Sequence, residues 1–219
     1  MSQNTSTAVM ARRVEAPDSL DFFPTPPWGT RALVEHVLIG GGWGAHQIPN
    51  MTVWEPACGE GHMARPLAEY FGEVHASDCH DYGFGGVHDF LLPGKPLHKA
   101  NLVITNPPFR LASQFVFRAM DVAQDGCAML VRSVFMEGCD RFLNLFSKHP
   151  PAIIAPFAER LPMVKGRVDS KASSATAYGW FVWRKDHYGP TVVRWIPPCR
   201  KMLERPGDYG RPTQPERGE

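Results

Sequence analysis

Residues 51–61 read Met-Thr-Val-Trp-Glu-Pro-Ala-Cys-Gly-Glu-Gly. Thr52, Val53 and Trp54 are β-branched or aromatic, the composition of a short strand. The run stops at Pro56 and turns through a Gly-x-Gly into 62–71, whose apolar spacing predicts a helix. A strand that enters a helix through a glycine turn is the opening half of a βαβ unit. The same pattern recurs along the chain. Strands are expected over 73–78, 101–106, 127–135, 152–157, 177–185 and 191–196, and helices over 28–39, 111–123 and 139–148. Strands alternating with helices predict a mostly parallel sheet. After residue 150 the strands follow one another without a helix, so an antiparallel strand is expected near the C-terminus. The fold class is therefore α/β, with seven strands.

A length of 219 residues fits one domain. Its expected span is 17–198, with a small, polar and disordered segment at 1–16 and a polar, disordered tail at 199–219. Residues 21–28, Asp-Phe-Phe-Pro-Thr-Pro-Pro-Trp, predict an extended aromatic loop. Residues 165–176 are small, polar and Gly/Ser-containing, and predict a mobile surface loop. No apolar run reaches the ~18 residues of a membrane span, so no membrane partner is expected. The N-terminus has no signal-peptide core. Five cysteines, an odd number without a C-x-x-C pair, argue against a disulfide framework and fit the cytoplasm.

The net charge is +1, but it is unevenly placed. Residues 160–219 hold twelve Lys and Arg against six Asp and Glu. A basic C-terminal part on an acidic body can face a polyanion.

Ligands of open α/β sheets sit beyond the carboxyl ends of the strands. There the chain places Glu55, then Gly59 and Gly61, whose missing side chains let backbone approach a ligand. The third glycine of a dinucleotide site is absent, and so is the lysine of a phosphate-cradling loop. Glu55 would repel phosphate but suits a cation or an amine. Asp78, at the end of the next strand, is placed for ribose hydroxyls. An adenosine ligand that carries an amino acid and no phosphate fits all three features. S-adenosyl-L-methionine (SAM) is such a ligand.

The second constellation is Asn106-Pro107-Pro108-Phe109, directly after the strand Asn-Leu-Val-Ile-Thr. Two prolines end the strand and stiffen the loop. The Asn106 side-chain oxygen and the Pro107 carbonyl can together accept the hydrogens of a planar NH₂ as positive charge develops on nitrogen. Phe109 can stack on the ring that bears that amine. No covalent nucleophile is needed when the methyl donor is a sulfonium.

With these motifs the chain resembles class I SAM-dependent amino-methyltransferases, and specifically the N6-adenine DNA methyltransferases, whose hallmark (D/N/S)-P-P-(Y/F) matches Asn106–Phe109. The resemblance covers 21 to about 185 and implies a Rossmann-like class I methyltransferase fold. It implies catalytic Asn106, Pro107, Pro108 and Phe109. Its SAM motif matches Glu55, Pro56, Ala57, Gly59 and Gly61. Phe23-Pro24-Thr25-Pro26 resembles the family's F-x-T-P-like segment over the methionine end, so Phe23, Thr25 and Pro26 are expected at the cofactor. Asp78 matches the ribose acid, Asp89 and Phe90 the pair at the SAM adenine, and Asn106 touches cofactor as well as acceptor.

The implied activity is methyl transfer to the N6 amine of adenine in DNA. RNA base amino-methylation (N6-adenine or N2-guanine) and protein glutamine N5-methylation share this chemistry. Too little chain follows the last core strand for a separate recognition domain. Specificity then rests on short loops, on the tail, or on a homodimer or separate specificity subunit. Arg132, Lys165, Arg167 and Lys171, with Arg184 and Lys185, are candidate phosphate contacts. A metal site at His75, Asp78, Cys79, His80 and Asp81 is set aside, because the spacing matches no common zinc signature.

Overall fold

The computed structural model describes residues 21–210; the expectation for residues 1–16 lies outside them. β1 (Thr52–Glu55), β2 (Glu73–Asp78), β3 (Gly86–Val87), β4 (Leu102–Thr105), β5 (Gly126–Arg132), β6 (Ile153–Pro156), β7 (Tyr178–Arg184) and β8 (Val192–Val193) form one sheet. Its order is β3-β2-β1-β4-β5-β7-β6-β8. All neighbouring pairs are parallel except those that β7 makes with β5 and β6. The sheet is mostly parallel with one antiparallel strand near the C-terminus, as expected. It has eight strands rather than seven. The extra member, β3, is two residues in a glycine-rich stretch and carries no apolar run to announce it.

The buried strands sort their side chains by alternation. On one face Val53, Leu102, Ile104, Leu130, Trp180 and Val182 pack under Trp28 and Leu33 of α1 (Pro27–Leu33). On the other, Trp54, Val103, Met129, Phe181 and Trp183 meet Phe115, Val116 and Ala119 of the helix Ala112–Val122. The two indoles of β7 therefore serve opposite cores. Trp180 Nε1–H donates to Gly29 O at 3.0 Å, and Trp183 Nε1–H donates to His149 O at 2.9 Å. Seven register pairs join β5 to β7, and they bring Tyr178, the first residue of β7, beside Arg132, the last of β5.

Three expected helices are shorter or wider than predicted. Within 62–71 only α2 (Ala64–Leu67) is α-helical; it runs out in turns, with the Tyr70 and Phe71 N–H groups both donating to Leu67 O at 3.0 Å. α1 continues as a π-turn over Val34–Leu38. The helix at 112–122 is α3. Within 139–148, α4 (Cys139–Arg141) continues likewise over Phe142–Phe146. No helix among the described residues is long and apolar enough to cross a membrane.

The disordered tail expected from residue 199 needs correction up to residue 210. Cys199 is buried and starts α5 (Arg200–Leu203). The cause is Arg31, whose side chain is only 4% exposed. Its guanidinium donates to Glu69 at 2.8 Å, to Asp208 at 2.8 Å and to the carbonyl of Leu203 at 2.6 Å. One buried cation thus ties α1, the end of α2 and the C-terminal segment together. Removing one partner of a buried ion cluster typically costs about 3–5 kcal/mol, because the remaining charges stay buried. Arg31→Met should lower the stability of the chain by that amount in urea unfolding. A loss below about 1 kcal/mol would return residues 199–210 to the surface tail.

Candidate functional site

The parallel strands end at Glu55, Asp78 and Thr105, and the turn after β1 organises the space beyond them. Gly59 and Gly61 have φ of +50° and +82°. A Cβ at Gly59 would lie 2.4 Å from the ring of Phe22, and one at Gly61 would lie 2.6 Å from the ring of Phe84. Both the backbone conformation and the close rings therefore require glycine. The Gly59 N–H donates to Asp78 Oδ2 at 2.9 Å, and the His80 N–H to Asp78 Oδ1 at 3.1 Å. The end of β2 is thereby locked to the turn after β1.

These elements enclose a cavity of about 420 Å³, within the range of small-molecule sites. Of the residues singled out from the sequence, Phe23, Thr25, Glu55, Pro56, Ala57, Asp78, Asp89, Phe90, Asn106 and Pro108 line it. Pro26, Gly59, Gly61, Pro107 and Phe109 are not on the wall. Pro26 caps α1, the glycines shape the turn, and Pro107 is buried behind the loop. Sequence reasoning did not assign Met63, Tyr82, Leu111 or Phe115, which also line the cavity. Leu111 and Phe115 are one helical turn apart at the start of α3, a spacing that puts them on one face. Tyr82 is brought in by a ring stack on Phe22, with centroids 4.8 Å apart.

Asn106 holds an oriented carboxamide. Its Nδ2 donates to the Phe23 carbonyl at 2.8 Å, which assigns the amide nitrogen to that side. Its Oδ1 is buried without a partner. Glu55 is 2% exposed, and its Oε2 is likewise buried without a partner. Burial first, and then the like charge of Asp78, push its carboxyl well above the usual range, against a smaller opposing effect from the Ala64 backbone N–H. The cavity thus presents three buried oxygens without a partner (Thr25 Oγ1, Glu55 Oε2 and Asn106 Oδ1) and four acids (Asp21, Glu55, Asp78 and Asp89), with no arginine or lysine on its wall among the described residues.

Phe109 lies just outside. Its N–H donates to Asp21 Oδ2 at 3.0 Å. Its ring meets Phe23 and Tyr178 at centroid distances of 5.6 and 6.2 Å, and the Arg132 guanidinium lies 4.1 Å over it.

The other basic candidates divide into two places. The loop carrying Lys165, Arg167 and Lys171 is tied to the cavity rim, because the Gly166 N–H donates to Phe22 O at 2.9 Å. Arg167 is exposed and pairs with Asp169 at 3.2 Å. Lys165 and Lys171 are exposed as well. Arg184 and Lys185 stand at the opposite edge of the sheet. β7 runs antiparallel, so its last residues lie beside Gly126, the first of β5. Arg184 is engaged there by Asp186 at 2.6 Å and by the Gly41 carbonyl at 3.1 Å. These two residues do not belong to the site. Among the described residues, no three His, Cys, Asp or Glu side chains are grouped to hold a metal ion.

No protein-family model and no curated relative matches the chain. Solved structures do resemble it. A protein described as a modification subunit of a type I restriction enzyme, from Vibrio vulnificus YJ016, is 15% identical with a TM-score of 0.51. The likeness covers 83% of this chain and 48% of that one, so the chain spans about half the length of that protein. The magnesium protoporphyrin IX methyltransferase of Synechocystis PCC 6803, solved with bound SAM, is 15% identical over 72% of this chain and 79% of that one, with a TM-score of 0.48. A protein described as an RNA methyltransferase, from Pyrococcus horikoshii, is 14% identical over 64% and 77% of the two chains, with a TM-score of 0.47. The first likeness, together with the strand order, shows the fold: the Rossmann-like class I methyltransferase arrangement expected from the sequence.

The buried carboxyl of Glu55 fixes a pH dependence. Its folded pKa lies above its unfolded one, so it costs no stability at low pH, and the cost grows as pH rises past the unfolded value. Glu55→Gln should therefore raise the melting temperature of the ligand-free protein at pH 8, by about 3 °C for each kcal/mol recovered. The gain should shrink toward pH 4.5. Thermal melts of both proteins across pH 4.5–8 check this.

Proposed function

We propose that the chain binds SAM in this cavity and transfers its methyl group to the N6 amine of adenine in DNA. The observation that carries the reading is the open Oδ1 of Asn106, an oriented and unpartnered acceptor on the cavity wall. The donor set suits SAM, since acids without basic neighbours favour a cationic ligand over a phosphorylated one. Glu55 would hold the cationic methionyl end, with the segment Phe23, Thr25 and Pro26 closing over it. Asp78 would take the ribose hydroxyls, and Asp89 with Phe90 the adenine. Pro56, Ala57, Gly59 and Gly61 shape the turn that admits these groups.

When bound, SAM supplies a methyl carbon on a cationic sulfur, an electrophile that needs no covalent help from the protein. The chain's task is then to position and neutralise. Asn106 Oδ1 and the Pro107 carbonyl each accept an N–H of the acceptor amine. They hold its nitrogen in place and stabilise the charge that develops on it. Pro107 and Pro108 keep these acceptors fixed, so little reorganisation accompanies the reaction. Phe109 offers the ring on which a flat base can stack.

DNA as acceptor is supported by the basic loop with Lys165, Arg167 and Lys171 at the rim, with Arg110 exposed next to Phe109. Phosphate contacts of this kind position a strand without reading it. An adenine in a duplex must be flipped out to reach the pocket, at a few kcal/mol. Residues 199–210 are folded onto the body, and the loops at the rim, alone or with a second subunit, would make the sequence choice.

Mass spectrometry of nucleosides from DNA and RNA incubated with the protein and SAM tests the reading. N6-methyladenine in the DNA is the expected product. Methylation of RNA or protein alone would overturn the DNA acceptor. Asn106→Ala should lower kcat by about 10²–10³-fold, the usual loss for one preorganised transition-state contact. SAM affinity by calorimetry should change by less than tenfold.

A further inference from the structure

The ring of Phe109 is not free in the resting protein. The Arg132 guanidinium lies 4.1 Å above its centroid, the contact of a stacked flat group. A guanidinium and a purine are both planar and both stack on a phenyl face, so they exclude one another there. Arg132 is held in this place by little else. It stands opposite Tyr178 in the sheet register, its Nε is buried without a partner, and no carboxylate pairs with it among the described residues. An arginine that keeps a buried, unpaired N–H is poorly settled, because that N–H forgoes water for nothing. The surrounding rings of Phe23 and Tyr178 are packed against Phe109 at its sides.

From this geometry we infer that Arg132 is a placeholder for the acceptor base: it occupies the Phe109 face until a planar ring enters, and then swings out to pair with an adjoining phosphate. The inference rests on the proposed nucleic-acid acceptor and adds to it a residue that couples base entry to strand binding. A base arriving at Phe109 gains the stack, and the displaced cation leaves a site where its Nε had no partner. Strand binding thereby gains one phosphate contact only when a base is seated.

The test uses the full chain saturated with S-adenosylhomocysteine, and two short thymine single strands. One carries a single central adenine, and the other an abasic nucleotide at the same position. Affinities are read by fluorescence anisotropy across a salt series, where each phosphate contact on a single strand contributes a slope of about −0.7 in log K against log salt. On the adenine strand, Arg132→Gln should show a slope shallower than the native protein by about that amount. On the abasic strand the two proteins should give the same slope. Arg132→Lys keeps the charge without the flat plate, and should give the steeper slope on both strands. Equal slopes for Arg132→Gln and native protein on the adenine strand would overturn the inference, leaving Arg132 a fixed packing group. An equal difference on both strands would overturn it too, as the mark of a permanent phosphate contact. If neither protein binds either strand, the DNA acceptor itself fails, and this inference with it.

Discussion

A carboxamide has one nitrogen and one oxygen, and committing the first commits the second. The Phe23 carbonyl can only accept, so it claims Nδ2 of Asn106 and turns Oδ1 the other way. That single hydrogen bond joins the proline-rich N-terminal segment to the loop after β4, and it aims the unpartnered side-chain oxygen of Asn106. The rest of the site is arranged around it. The Phe109 N–H binds Asp21, the Gly166 N–H binds Phe22 O, and the Phe22 ring lies against Gly59. The segment from Asp21 to Phe23 therefore touches the glycine turn after β1, the loop after β4 and the basic loop at once. Its position is a common constraint on all three.

The cavity is built on unmet electrostatic demand. A buried carboxyl with an open oxygen, beside a second acid that already receives two backbone N–H groups, is a poor arrangement for stability alone. Such cost is retained where a ligand relieves it. The same logic holds at Phe109, where an arginine without a carboxylate partner among the described residues covers the aromatic face. Both ends of the site carry more unmet polar demand than the hydrophobic layers behind them. Those layers, with indoles buried on both faces of β7, carry the stability that the site gives up.

What could be read from the sequence was what depends on neighbours in the chain. The strand into Glu55, the glycine turn, the stop at Pro107 and the run Tyr178–Arg184 are local patterns of alternation and backbone chemistry, and these elements stand where expected. What escaped depends on distant partners. The ordering of 199–210 follows from Arg31, more than 170 residues away, meeting Asp208 in a buried cluster. No local pattern marks an arginine as a hub. Arg184 looked like a phosphate contact because its charge was visible and the direction of its strand was not. Tyr82 reached the cavity through a stack on Phe22 across a loop whose course no periodicity predicts.

Phe109 shows the same limit at the level of one side chain. Its motif position tells which ring stands beside the acceptor loop. What covers that ring is set by β5 and β7, which pair Arg132 with Tyr178 and hold the first over it and the second at its side. The antiparallel insertion of β7 is thus more than a closure of the sheet. A parallel strand in that place would start at the opposite edge and put Arg184, rather than Tyr178, beside Arg132. The reversal sets Tyr178 at the carboxyl edge, opposite Arg132 in register and a neighbour of Phe109. The direction of one strand, fixed by seven register pairs, decides what group rests on the face of Phe109.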